Sequence, residues 1–154
     1  MKIALPSLVA FVITIAACHT TKYLPENFEK KQIHFGSGGG FTGITNTYQL
    51  LDNGQIFHKD SRNEKSMELP ELKKKEVKNW FAELADMPKD SVPFIHPGNM
   101  SKFIYFIDNK DTLASYVWGD YKYKVSPAID SLYHGLTDLV KSHSPKIDTT
   151  TYER

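Results

Sequence analysis

Cysteine occurs once in this chain of 154 residues, at Cys18. One thiol excludes an internal disulfide framework, so any fold must rest on its core. A charge excess is missing too: 19 basic side chains face 18 acidic ones, for a formal net charge of +1. No field is available to gather nucleic acid or steer an acidic substrate, and no nucleic-acid partner is expected. The longest basic run, Lys73-Lys74-Lys75, reads as a solvated helix face. The longest apolar run, Ile3 to Ala17, falls short of the ~20 residues needed to span a bilayer core. Signatures of chemistry are also scarce. The 6 histidines form neither H-x-x-x-H nor H-E-x-x-H. There is no G-x-S-x-G elbow and no Gly-Lys-Ser/Thr of a phosphate loop. No carboxylate pair is marked by apolar surroundings on both sides, which leaves acid/base work unsupported.

Aromatics make up 12% and charged residues 24% of the chain, a composition for a packed globule rather than a disordered one. The length suits one domain with one core.

At the N-terminus, Lys2 precedes the apolar run, and the small residues Ala16 and Ala17 precede Cys18. Ile15-Ala16-Ala17-Cys18 resembles the lipobox of bacterial lipoproteins, the signal for cleavage and lipidation. The resemblance covers the first eighteen residues. It implies that residues 1–17 are a signal peptide and that Cys18 carries a diacylglycerol thioether, with a third acyl chain on its amine. Two or more chains anchor stably where one does not. Removing residues 1–17 takes away one lysine and leaves 18 basic and 18 acidic side chains. In the family's sorting rule an Asp after the cysteine retains the protein in the inner membrane. His19 stands there instead, which implies the outer membrane. The competing readings of this segment are an ordinary secretory leader or a buried helix. The whole chain resembles small lipoproteins of Bacteroidota-type bacteria.

Residues 18–31 are polar and read as a tether, 32–144 as one domain, and 145–154 as a flexible tail. Ile33 and Phe35 begin a short strand. Ile44 to Leu51 and Gln55 to Lys59 follow as two more, joined through Asp52-Asn53-Gly54, a type I′ hairpin signal. Asp60 to Glu68 reads as polar loop. Pro70 suits a first helical turn, after which Val77, Trp80, Phe81 and Leu84 form one apolar stripe closed by Met87-Pro88. Lys89 to Asn99 reads as loop. Phe103 to Ile107 and Leu113 to Trp118 form a second hairpin through Asp108–Asp111. Ser126-Pro127 caps a second helix with the stripe Ile129, Leu132, Tyr133, Leu136 and Val140. The expected fold is a two-layer α+β sandwich in ββαββα order, with an antiparallel sheet of two hairpins and both helices on one face.

Three features are candidates for function. Gly38, Gly40 and Gly43 match G-x-G-x-x-G, but a strand rather than a helix follows, so a dinucleotide loop is rejected. The run from Gly36 to Gly43 reads as a connection using positive φ, with Gly38, Gly39 and Gly40 as a possible backbone ligand loop. His34 and His58 fall on strands that could be neighbours, yet two imidazoles without a carboxylate make a poor metal site. The stretch from Tyr116 to Lys124 mixes aromatics with lysines. Trp118 reads as core; Tyr121, Lys122, Tyr123 and Lys124 read as a binding surface able to stack on sugar rings or hold a peptide. No residue is assigned a catalytic or metal-ligating role, and no cofactor is expected. The favoured reading is a lipid-anchored, non-enzymatic binding module of the cell envelope, whose partner is an envelope protein or glycan. The alternatives are a small envelope enzyme near Gly36–Gly43 with His34 or His58, and a structural subunit of an envelope complex.

Overall fold

The computed structural model describes residues 22–63, 66–87 and 93–143. The leader, Cys18 and the 145–154 tail lie outside them. Seven strands form one sheet: β1 (Gln32–Gly39), β2 (Ile44–Leu51), β3 (Ile56–Asp60), β4 (Met67–Leu69), β5 (Phe94–His96), β6 (Met100–Asp108) and β7 (Asp111–Trp118). Two helices complete the described residues, α1 (Lys74–Asp86) and α2 (Pro127–His143), with a single 3-10 turn at Pro25–Asn27. The spatial order is β4-β3-β2-β1-β6-β7-β5, antiparallel throughout except for the parallel pair of β5 and β7.

The fold is therefore α+β with an antiparallel sheet, but the two-hairpin ββαββα order gives way to a larger one. The expected polar loop before α1 contains β4, and the expected loop after α1 contains β5. Each is three residues long and pairs with a single strand, β3 or β7. The glycine run is the larger correction. β1 continues through Gly36-Ser37-Gly38 to Gly39, paired on both sides with β2 and β6. Two flanking ladders supply the hydrogen bonds that hold a segment of poor strand propensity in the centre of the sheet. Positive φ begins only at Gly39 and continues at Gly40 and Gly43 in the turn to β2.

Both hairpins form. Around Asp52-Asn53-Gly54 the Gly54 amide donates to the Leu51 carbonyl at 3.1 Å and the Leu51 amide to the Gln55 carbonyl at 2.9 Å. Only Gly54 has positive φ there, so the loop is a three-residue turn rather than type I′. The two-residue geometry sits in the second hairpin, where Asn109 and Lys110 have φ of 48° and 71°.

Alternation along the strands makes two faces. Ile33, Phe35, Leu50, Ile104, Phe106, Tyr116 and Trp118 join Val77, Phe81 and Leu84 of α1 and Ile129, Leu132, Leu136 and Val140 of α2 in one core. Both helices thus cover the same face. They meet at Gly135, where an added Cβ would strike the Trp80 ring. α1 starts at Lys74 rather than near Pro70, and Met87 ends it in extended conformation, as a residue before proline must.

Among the described residues the second face is covered at one end only. Phe28, Leu51 and Phe57 form a small separate cluster there. Residues 22–31, expected as tether, are packed from Tyr23 onward. The Tyr23 amide donates to Gln55 Oε1 at 3.0 Å, Pro25 and Phe28 are buried, and the Tyr23 and Phe28 rings meet edge-on at 5.3 Å. Their apolar content is small but well placed, which composition alone does not reveal.

Candidate functional site

Trp118 closes β7 opposite Lys102 of β6, on the helix-covered face and at the end of the sheet away from the Asp52–Gly54 turn. Its indole is 8% exposed and meets Tyr133 of α2 edge-on, with centroids 5.3 Å apart. Trp118 is core, as the sequence suggests. Burial raises the pKa of Tyr133, whose hydroxyl hydrogen-bonds Ser37 on the glycine strand. Lys102 Nζ lies 5.0 Å from the Tyr133 ring centroid, 3.5 Å from Asp130 Oδ1 and 3.4 Å from His134 Nε2. Lys102 thus bridges a cation–π contact and a carboxylate at the sheet's end.

After Trp118 the chain turns sharply. Gly98 and Gly119 pass backbone to backbone, leaving no room for a Cβ on either. The Lys122 amide donates to Asp120 Oδ1 at 2.9 Å and the Tyr123 amide to the Asp120 carbonyl at 3.1 Å. Residues 120–123 are therefore a turn rather than extended chain. Tyr123 lies flat on His96, 3.8 Å between centroids and 8° between planes, and His96 meets Phe94 edge-on at 4.6 Å. Tyr123 remains 49% exposed and Tyr121 86%. Lys122 Nζ is 5.9 Å from the Tyr121 centroid. Tyr121, Tyr123, Lys124 and Asp130 rim a hollow of about 440 Å³ with Trp118 at its base. A second hollow of about 360 Å³ lies on the other side of Trp118, between Lys102, Tyr133 and Ser37.

The structure thus brings Tyr121, Tyr123 and Lys124 together with Asp130 around one indole, with Lys122 beside the Tyr121 ring. The sequence reading missed Lys102, Tyr133 and His96. In the sequence Tyr133 is one position of a helical core stripe, and His96 lies in an apparent loop. Lys102 carries a signal: it shares parity with Ile104 and Phe106, so it is a charge at an inward position of a strand.

The glycine candidates lie elsewhere. Gly36 and Gly38 are on the helix-free face. A Cβ at Gly36 would collide with the Asn46 carbonyl and the Phe103 ring, and one at Gly38 with the Thr45 side chain. His34 shares that face, whereas His58 pairs with Tyr48 on the other, stacked at 4.8 Å and 3.2 Å from Asn46 Oδ1. The two histidines cannot share a ligand. Among the described residues no three His, Cys, Asp or Glu side chains cluster to hold a metal. Burial pulls the His34 pKa from 6.5 to about 4, against a smaller upward pull from Glu26. No described helix is long and apolar enough to cross a membrane.

Comparison with known proteins gave no matching family model and no similar curated protein.

Proposed function

We propose that this chain is a lipid-anchored cell-envelope protein, anchored through Cys18, that acts as a non-enzymatic binding module. Its binding surface is the aromatic–lysine rim around Trp118. One observation carries this reading: Tyr121 and Tyr123 are exposed beside a hollow based on a buried tryptophan. Exposed aromatics beside an anchored indole provide stacking area at small entropic cost, and aromatic residues with adjacent cations are frequent binding anchors. Lys124 gives the rim its positive side, with Lys122 beside the Tyr121 ring; Asp130 gives it an acceptor side.

A photo-crosslinking residue at Tyr121 in the anchored protein tests the reading. The expected result is a discrete adduct that is lost when Tyr123→Ala is added, and no such adduct from the same probe at Lys78 on α1. Equal labelling from both positions would remove the site. Mass spectrometry of the native protein tests the anchor: an intact leader or an unmodified Cys18 would end that part.

A further inference from the structure

We propose that the trough on the helix-free face, floored by Gly38 and walled by Thr45, Thr47, Phe103, Tyr105 and His34, binds one uncharged saccharide unit. This site is independent of the Trp118 rim, which faces the other side of the sheet. The trough encloses about 390 Å³, within the range of roughly 300–1,000 Å³ for small-molecule sites. Its floor exists because β1 lacks side chains there. Phe103 and Tyr105 form one wall, with ring centroids 5.4 Å apart and planes at 32°. The threonine hydroxyls form the opposite wall.

Charge decides the ligand class. No lining side chain carries a formal charge at neutral pH. Burial keeps His34 uncharged at neutral pH, and a relay from the N-terminal segment selects its tautomer. The Gln32 amide nitrogen donates to the Pro25 carbonyl at 3.1 Å and to the Phe28 carbonyl at 2.8 Å. Gln32 Oε1 is therefore the atom 2.9 Å from His34 Nε2, so Nε2 donates and Nδ1 is left as the ring's acceptor. Lys59 stands cross-strand from Thr47 but outside the lining, so among the lining side chains none offers a counter-charge for the hydration a charged ligand would lose.

Backbone pairing excludes a strand-like peptide. β1 is already bonded on both sides to β2 and β6, so no main-chain groups remain for strand addition. A ligand here must take its hydrogen bonds from side chains while laying an apolar face on aromatic rings. A pyranose ring has both properties. Among the described residues, the Thr45, Thr47 and Tyr105 hydroxyls hold no hydrogen bond.

The test uses the full chain in a detergent without a sugar headgroup. Saturation-transfer NMR is run with maltose, cellobiose, mannobiose and chitobiose, and with glucuronate as the charged control. At least one neutral disaccharide should bind, and glucuronate should not. Thr47→Val combined with Tyr105→Phe should weaken that binding about tenfold or more, with the melting temperature nearly unchanged. Tyr121→Ala with Tyr123→Ala should leave it intact, so failure here is separable from failure at the Trp118 rim. No binding by any of the four, equal binding of glucuronate, or binding lost only with the tyrosine pair would each overturn the proposal. An extended peptide that competes at the trough would also overturn it.

Discussion

Between Gln32 and Gly38 every second residue of β1 faces away from the helices, and two of these positions are glycine. The cost of adding a methyl group should therefore differ along the run. Gly43 has φ of 63° with nothing within 4 Å of an added Cβ, so Gly43→Ala meets only backbone strain, about 1 kcal/mol. Gly36→Ala places its Cβ against a main-chain carbonyl that cannot move without its strand. Urea unfolding should show the Gly36 variant losing at least twice as much stability as the Gly43 variant. His34 supports a second prediction. Its imidazole takes up a proton near pH 6.5 when unfolded but only near pH 4 when folded. The unfolded chain thus binds more protons across that window, so stability falls as pH drops from about 6.5 to about 4 and levels off below. A shift of this size corresponds to about 3 kcal/mol. Urea midpoints at pH 7, 5.5 and 4 should diverge between wild type and His34→Gln, the variant being flatter. Asp60, held down to about 2 by its hydrogen bonds to Arg62, adds its own loss only below pH 3.8.

Elements were legible where local chemistry decides them. Ser126-Pro127 announces α2, the stripe from Val77 to Leu84 announces α1, and turn residues announce both hairpins. Legibility failed where partners decide. β4 and β5 are three residues each and exist because β3 and β7 offer a ladder. The glycine half of β1 has no propensity of its own. The tyrosine–lysine stretch was readable as surface, but its companions Lys102 and Asp130 come from β6 and α2, and no local pattern joins them. The N-terminal segment is the least legible, because its polar composition conceals one buried aromatic. Phe28 is 3% exposed against Leu51 and Phe57. Phe28→Ala should lose about 3–5 kcal/mol, read from thermal or urea unfolding. A chain beginning at Glu29 should be correspondingly weaker than one beginning at Lys22; equal stability would show that the segment is not part of the folding unit.

At the scale of the whole molecule, the packed N-terminus sets a direction. Tyr23 is fastened to Gln55, beside the Asp52–Gly54 turn. β1 starts at that end with Gln32 and finishes at the opposite end with Gly39, opposite Met100 and near Trp118 and Lys102. Only four residue steps separate Cys18 from Lys22, a reach of roughly 14 Å at full extension. Under the proposed acylation of Cys18, that reach would moor the domain close to the lipid rather than on a long leash. The hairpin end would then be the keel. The seven steps of β1 separate the Trp118 rim from that end by roughly 23 Å, so under the proposed anchoring the rim would stand on the side away from the bilayer. Inserting twenty Gly/Ser residues after Thr20 would slacken the mooring without touching the fold. Crosslinking from Tyr121 should then spread from one discrete partner to several, because height above the membrane would no longer select which one is met.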